Sequence, residues 1–346
     1  MGRSTYRAVA AAGLAVLVSA ASAFAQSKSL VVAGYGGSWE QQLRKDVFPV
    51  FEAKHGVKIE YVAGNSTDTL AKLQAQKGNQ LIDVAIVDDG PMYQAIQLGF
   101  CGKIDNLDKS ELYPAALFKD DKAVAVGQTG TGFMINTKTF KDKGWAMPTS
   151  WNDLKDPKFK KLLVIPPINN TYGLYTLMMF ARLNGGGEKN IEPGFKVMKN
   201  DVNPNVLVYE PSPGKMTELF QSNQGQIAVW GTGRVQAFAN TGFPVDFIYP
   251  KEGAPILLAS ACPVAKAAAN PLAQEFIKML ISAPVQTSFA KEMGNGPVNT
   301  KVDVNMPELR MAPVGARAKL VIQPDWDAIN AQREEWTKRW NREVER

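Results

Sequence analysis

The spacing of apolar residues changes period repeatedly along this chain. Leu30-Val31-Val32-Ala33 is an unbroken apolar run, the pattern of a strand buried on both faces. It ends at Gly34-Tyr35-Gly36-Gly37 and gives way to helical spacing, with Leu43, Val47, Val50 and Phe51 on one face. Ser38 is placed to cap that helix with Gln41 at the reciprocal position, and Pro49 is expected to kink it. Residues 57–62 alternate as a strand, and 67–76 read as a helix with Leu70 and Leu73 inward. Residues 81–87 form a second buried strand that runs into Asp88-Asp89-Gly90-Pro91, where the next helix begins. Strands alternating with helices predict an α/β fold whose mostly parallel sheet is covered on both faces.

The alternation loosens at 123–135, an extended run holding Gly127, Gly130 and Gly132. A second extended run at 245–250 leads into 256–264. Between them lie helices and two short strands, at 162–165 and 227–230. Two extended crossings around a central region predict two lobes. The first is discontinuous, residues 26–128 and 250–310; the second is 129–249. A helical segment, 311–346, with Ile329, Trp336 and Trp340 at helical spacing, is expected to pack on the lobes. The length agrees, because 346 residues exceed what one hydrophobic core usually covers.

The N-terminus changes the picture. Arg3 and Arg7 precede an apolar stretch too short to span a bilayer, and Ala23-Phe24-Ala25 is an A-x-A cleavage site. Residues 1–25 therefore read as a removable export signal, with a mature chain starting at Gln26 in the periplasm. The net charge of +6 is scattered, and no clustered basic stripe points to nucleic acid. An exported chain with two cysteines admits one Cys101–Cys262 disulfide; the other reading is two small buried apolar residues. The bridge is the expectation taken. The single histidine, His55, is followed by Gly56 and reads as a helix C-terminus.

Candidate chemistry is that of binding. Gly34, Gly36 and Glu60 invite a dinucleotide reading, but Trp39 stands where the third glycine is needed for close helix packing. Backbone N–H groups at a helix start, with the Ser38 hydroxyl, suit a negatively charged group. Tyr35 and Trp39 can cover an apolar or cationic face. No G-x-S-x-G occurs, and Ser212-Pro213-Gly214-Lys215 has the S-x-x-K spacing on what reads as a turn. One histidine and two distant cysteines cannot make a usual zinc site. Arg234, after Trp230-Gly231-Thr232-Gly233, can fork onto a carboxylate or phosphonate, or serve only as a surface ion pair. Asn169-Asn170-Thr171-Tyr172 offers cap or ligand donors.

In order and spacing, several segments resemble the periplasmic solute-binding proteins of ABC importers, in the spermidine/putrescine-type cluster. They are Gly36-Gly37-Ser38-Trp39, the run 83–90, Thr131-Gly132-Phe133-Met134-Ile135-Asn136, the run 148–154, Val229-Trp230-Gly231-Thr232-Gly233-Arg234, and Tyr249-Pro250-Lys251-Glu252-Gly253-Ala254, with the tail from Trp326 to Trp340. The resemblance implies two α/β lobes joined by two crossing strands and a ligand in the cleft. It implies ligand contacts at Tyr35, Gly37, Ser38, Trp39, Asp88, Asp89, Thr129, Thr131, Asn169, Thr171, Tyr172, Trp230, Arg234 and Ser260. It implies a monomer that serves inner-membrane permeases, without cofactor or metal.

Polyamine binders of that cluster place acids in the second lobe and after the Pro-Lys-Glu-Gly segment. Here Asn169-Asn170-Thr171-Tyr172 and Ile256-Leu257-Leu258-Ala259-Ser260 contain none. A buried ammonium without a carboxylate is costly. The expected solute is therefore a small organic anion or zwitterion bearing a carboxylate or similar group, with a polyamine as the alternative. The ferric branch uses adjacent tyrosines, and no Tyr-Tyr pair occurs. Two rivals are an exported hydrolase or transferase on a two-lobed scaffold, and a binding protein that feeds a chemoreceptor.

Overall fold

The computed structural model describes residues 29–345, so the leader and its cleavage site lie outside the described residues. In chain order the strands are β1 (Ser29–Gly34), β2 (Lys58–Ala63), β3 (Val84–Asp88), β4 (Val124–Asn136), β5 (Leu163–Ile165), β6 (Val206–Tyr209), β7 (Ile227–Gly231), β8 (Val245–Ile248), β9 (Ala254–Pro263) and β10 (Val321–Ile322). The helices are α1 (Ser38–Gln42), α2 (Phe48–His55), α3 (Ser66–Ala75), α4 (Asp89–Gln97), α5 (Thr137–Asp142), α6 (Thr171–Leu183), α7 (Glu192–Val197), α8 (Pro213–Gln221), α9 (Thr232–Ala239), α10 (Pro271–Leu280), α11 (Ala283–Met293) and α12 (Trp326–Glu343).

One long strand organises the sheet, whose order is β2-β1-β3-β9-β4-β7-β5-β6. The first half of β4 pairs antiparallel with β9, from Val124 to Gly130. Its second half, from Thr131 on, lies between β7 and β8. The return passes from β8 through a turn at 249–253 into β9. That turn is pinned to the second half by Lys251 N–H on Thr149 O and by Trp151 Nε1–H on Gly253 O. β1 is parallel to β2 and β3, and β5 is parallel to β6 and β7, as helix-connected strands must be. β3–β9 and β4–β7 are antiparallel, so the sheet is more mixed than the alternation suggested.

The apolar side chains separate into two main cores. Leu30, Val84, Ile86, Val124, Ala261, Phe276 and Phe289 lie in the first. Phe133, Trp151, Leu163, Tyr175, Phe180 and Val229 lie in the second. β4 thus contributes its start to one core and its end to the other. α12 belongs to the second: Trp336 and Trp340 are buried there, and Arg339 pairs with Glu192.

Local differences from the sequence reading have physical causes. The long first helix is interrupted not at Pro49 but by a π-helical turn, Leu43–Val47, and Pro49 sits in the first turn of α2, where its missing N–H costs nothing. Ser38 does not cap; Gly37 holds that position at φ 69°, where a side chain would be strained. Pro213 starts a helix rather than a turn, with the Ser212 hydroxyl accepting from Lys215 N–H. Gly56 ends α2 in the left-handed conformation, and the His55 ring lies 4.3 Å from that of Phe51. Cys101 and Cys262 are joined by a disulfide, with Cα atoms 5.6 Å apart.

Candidate functional site

A cleft of about 530 Å³ lies between the two cores. Helices α3, α4, α6, α8 and α9 direct their N-termini toward it: Asn65, Asp88, Asn170, Ser212 and the Gly233-Arg234 turn all line its wall. Unpaired N–H groups and the helix dipole make such ends favourable for negative charge. Three of these ends are capped from within. Asn65 and Asp68 form a reciprocal capping box, the Asn170 side chain accepts from Tyr172 N–H at 3.0 Å, and Ser212 caps α8.

Arg234 is the centre of positive charge. It follows β7 into the first turn of α9, and its Nη1 donates to Gly36 O at 3.1 Å and to Ser38 Oγ at 2.9 Å. A Cβ on Gly37 would lie 3.2 Å from that nitrogen, so the glycine lets the loop and the guanidinium meet. The other guanidinium nitrogens make no hydrogen bond to the described residues and face a cleft lined by Tyr35, Trp39, Tyr172 and Trp230. Burial lowers the pKa of Arg234, with Tyr172, Tyr35, Tyr61 and Asp88 opposing the effect.

Asp88 is an acid in the cleft wall whose charge acts on Arg234, and it is already engaged. Tyr35 Oη donates to its Oδ1 at 2.7 Å, and the Thr171 hydroxyl donates to its Oδ2. Burial, then the Asp88 charge, raises the Tyr35 pKa well above the usual phenol range. Tyr35 is held at its other end by Tyr61, whose hydroxyl donates to Tyr35 O at 2.6 Å. The Asp88–Thr171 and Arg234–Ser38 bonds, with Thr67 Oγ1 on Asn169 O, all cross between the halves of the molecule.

Of the residues singled out in the sequence, Tyr35, Gly37, Ser38, Trp39, Asp88, Thr129, Asn169, Tyr172, Trp230 and Arg234 line the cleft. Four do not. Asp89 is buried behind the wall and accepts from Trp326 Nε1–H at 2.8 Å. Ser260 is buried and donates to Leu258 O, and Thr131 is buried within the sheet. Thr171 is spent on Asp88. In each case strand alternation or the helix turn aims the side chain away from the lumen. The structure adds wall residues that the sequence reading missed: Asn65, Ser66, Asp68, the start of α8 at 212–214 and Asn295. Asn65-x-x-Asp68 before a helix was a legible capping signal; Gly294-Asn295-Gly296-Pro297 was a legible turn.

Among the described residues no cluster of three or more His, Cys, Asp or Glu could hold a metal ion, and no helix is long and apolar enough to cross a membrane.

Comparison with known proteins places this cleft in context. Residues 48–313 match the family model described as bacterial extracellular solute-binding protein. A putative 2-aminoethylphosphonate-binding periplasmic protein of Salmonella typhi is 25% identical over 309 residues, 86% of each chain. The spermidine/putrescine-binding periplasmic protein of Escherichia coli is 25% identical over 274 residues, 75% of this chain and 76% of that one. The periplasmic binding protein AfuA of Actinobacillus pleuropneumoniae, solved with exogenous fructose-6-phosphate, superposes with a TM-score of 0.78 at 23% identity, over 92% of this chain and 99% of that one.

Proposed function

This chain belongs to the bacterial extracellular solute-binding proteins, and from that premise we propose that its cleft takes a small organic anion or zwitterion whose acid group docks on Arg234. The chain is a periplasmic solute-binding protein of the ABC-transporter type, not an enzyme, and it works with importer permeases. The observation that carries the ligand reading is Arg234, a cation set in the cleft wall with two of its three nitrogens uncommitted. A guanidinium fork and several helix N-termini suit a carboxylate or a phosphonate. The solute named for the Salmonella relative, 2-aminoethylphosphonate, is a zwitterion of this class.

The second reading is a polyamine, favoured by the Escherichia coli relative's name and by Asp68 and Asp88 in the wall. Against it, Asp88 already accepts from Tyr35 and Thr171, and Asp68 serves the α3 capping box. Asp88 has a donor on each oxygen, and Asp68 is exposed with only its Oδ2 engaged, so neither is a buried carboxylate held open for an ammonium.

The protein is further read as a monomer whose leader, residues 1–25, is removed on export. Its lobes are taken as 26–128 with 250–310, and 129–249, with 311–346 packed on both. N-terminal sequencing of the exported protein should begin at Gln26. The deciding test of the solute is mass spectrometry of what co-purifies with the protein. Calorimetry should follow, against 2-aminoethylphosphonate, small dicarboxylates, amino acids, putrescine and spermidine. Tight binding of an acid supports the proposal; tight binding of polyamines alone sinks it.

A further inference from the structure

Arg333 is a buried cation without a direct partner. It sits on α12 with 6% of its surface exposed, and neither Nη1 nor Nη2 makes a hydrogen bond. A buried charge left uncompensated is costly, so opposite charge must act on it through space. Burial lowers the Arg333 pKa, and Asp88, Tyr175 and Asp89 oppose the effect in that order.

The fold brings these groups together across the two halves. Trp326, Asn330 and Arg333 follow one another at helical spacing on one face of α12. That face lies along the start of α4, where Trp326 Nε1–H donates to Asp89 Oδ2 at 2.8 Å and Asn330 Nδ2 donates to Gly90 O at 3.1 Å. The other Asp89 oxygen, Oδ1, is buried without a partner. α12 is carried by the second core through Ile329, Trp336 and Trp340, whereas Asp88 ends β3, whose Val84 and Ile86 lie in the first.

Asp88 lines the cleft and Arg333 does not. Asp88 thus acts on two guanidiniums, Arg234 in the cleft and Arg333 outside it, and favours the charged form of each. The donors on its two oxygens, Tyr35 and Thr171, are hydroxyls, which bond the carboxylate without cancelling its charge. Burial pushes the Asp89 carboxyl up to about 8, so near pH 7 it is mostly protonated and Asp88 remains the charge that Arg333 answers.

We propose that Arg333 is a positioning residue for solute binding that acts through Asp88: by balancing the Asp88 charge from outside the cleft, it leaves Arg234 to the acid group of the solute. An unbalanced Asp88 would compete with that acid for Arg234 and repel it. This assignment rests on the reading that Arg234 takes the acid group.

The test is calorimetry with 2-aminoethylphosphonate and succinate as probes. The proteins are the wild type, Arg234→Ala, Arg333→Met, Arg333→Lys, Asp88→Asn and the double variant Arg333→Met with Asp88→Asn. Arg333→Met should weaken the probe that the wild type binds by about 3- to 10-fold, the scale of one charge effect felt through the protein. Arg333→Lys keeps the charge and should stay within about 2-fold of the wild type. In the Asp88→Asn background, Arg333→Met should change affinity by less than about 2-fold, because the charge it balanced is gone. A merely structural role for Arg333 would give the same loss in both backgrounds, and that result overturns the proposal. So does an equal loss in Arg333→Lys and Arg333→Met. If Arg333→Met does not fold, the double variant decides, since removing both members of a buried charge pair is far less costly than removing one: restored folding supports the proposal and a second failure overturns it. No effect of Arg333→Met while Arg234→Ala weakens binding overturns it alone and leaves the Arg234 reading standing. Arg234→Ala without effect, or a wild type that binds neither probe, defeats both.

Discussion

Arg234 Nη1 donates to the Ser38 hydroxyl at 2.9 Å, joining the first turn of α9 to the loop after β1 across the width of the cleft. The same nitrogen reaches Gly36 O. One guanidinium thus closes the site and faces its contents. A solute acid that takes the remaining nitrogens would add charge to a contact that already spans the lobes, so binding and closure are coupled through this side chain.

Arg234→Ala should weaken binding of an acidic solute by about 2–5 kcal/mol, roughly 30-fold or more, because a desolvated anion loses its charged partner. Arg234→Lys should fall in between, since an ammonium keeps the charge but not the planar fork. Calorimetry on both variants measures this. Equal affinities for wild type and Arg234→Ala would exclude the assignment.

Thr171 is expected to act on closure rather than on contact with the solute. Its hydroxyl bonds Asp88 from the opposite half of the molecule and does not line the lumen. Thr171→Val removes that bond at constant volume and should lower solute affinity by about 3- to 10-fold through the closing equilibrium. Small-angle scattering should show the wild type compacting as solute saturates. The ligand-free variant should be at least as extended as the ligand-free wild type. A radius of gyration that does not change on saturation would remove hinge bending from the account.

The sequence disclosed the frame better than the wall. Period changes near 34, 88 and 230 marked strand ends, and strand ends are where the cleft forms. Tyr35, Asp88 and Arg234 were legible because each sits at a strand end or within three residues of one. Asp89 was not excluded, because adjacent residues at a strand–helix junction differ only in direction, and direction depends on the partner element; Thr131 was not, because it lies inside β4, where which face a residue takes is set by the pairing with β7. Trp326 decides the case of Asp89, from 237 residues away. Asn295 was missed for a similar reason: a turn signal says that the chain reverses, not what the reversal faces.

Asp89 makes stability depend on pH in a particular sense. Burial pushes its carboxyl up to about 8, with the adjacent Asp88 adding to the rise and Trp326 Nε1–H opposing it. A folded-state value above the unfolded one means that the protonated form is favoured by folding. This contribution is full below about pH 4, the unfolded value, and is lost as pH rises toward about 8. Asp89→Asn mimics the protonated carboxyl. The wild type should therefore lose thermal midpoint relative to Asp89→Asn between about pH 4 and pH 8. A constant difference across that range would refute the shift.

The Cys101–Cys262 bridge closes a long loop, with 161 residues of sequence separation, and links the segment after α4 to β9. Constraining so long a loop in the unfolded chain is worth about 3–5 kcal/mol in the chain-entropy model. Denatured, unreduced protein should titrate no free thiol. Reduction, or Cys101→Ala with Cys262→Ala, should lower the thermal midpoint. Two free thiols in the unreduced sample would show that the bridge does not form.

The contact between Gly90 and Trp326 is the tightest test of how α12 bridges the halves. α12 is carried by the second core, yet its first residue lies against the start of α4, which belongs to the other half. A Cβ at Gly90 would fall 2.2 Å from Trp326 Cζ3, 2.4 Å from Cε3 and 2.5 Å from Cη2. No small adjustment accommodates that, so Gly90→Ala must expel the indole. The Nε1–H bond to Asp89 goes with it, and the Asn330 side-chain bond to Gly90 O is disturbed. The expected cost is about 1–3 kcal/mol, the range for overpacking a closed interior. Trp326→Leu alone should also destabilise, by leaving a cavity and an unpaired buried carboxyl. The double variant decides between a shared contact and two independent effects. If the alanine methyl fills space that the indole has left, the combined loss in denaturant unfolding should be smaller than the sum of the single losses by about 1 kcal/mol or more. Strict additivity would mean that Gly90 and Trp326 do not meet in solution, and α12 would then not tie the lobes together.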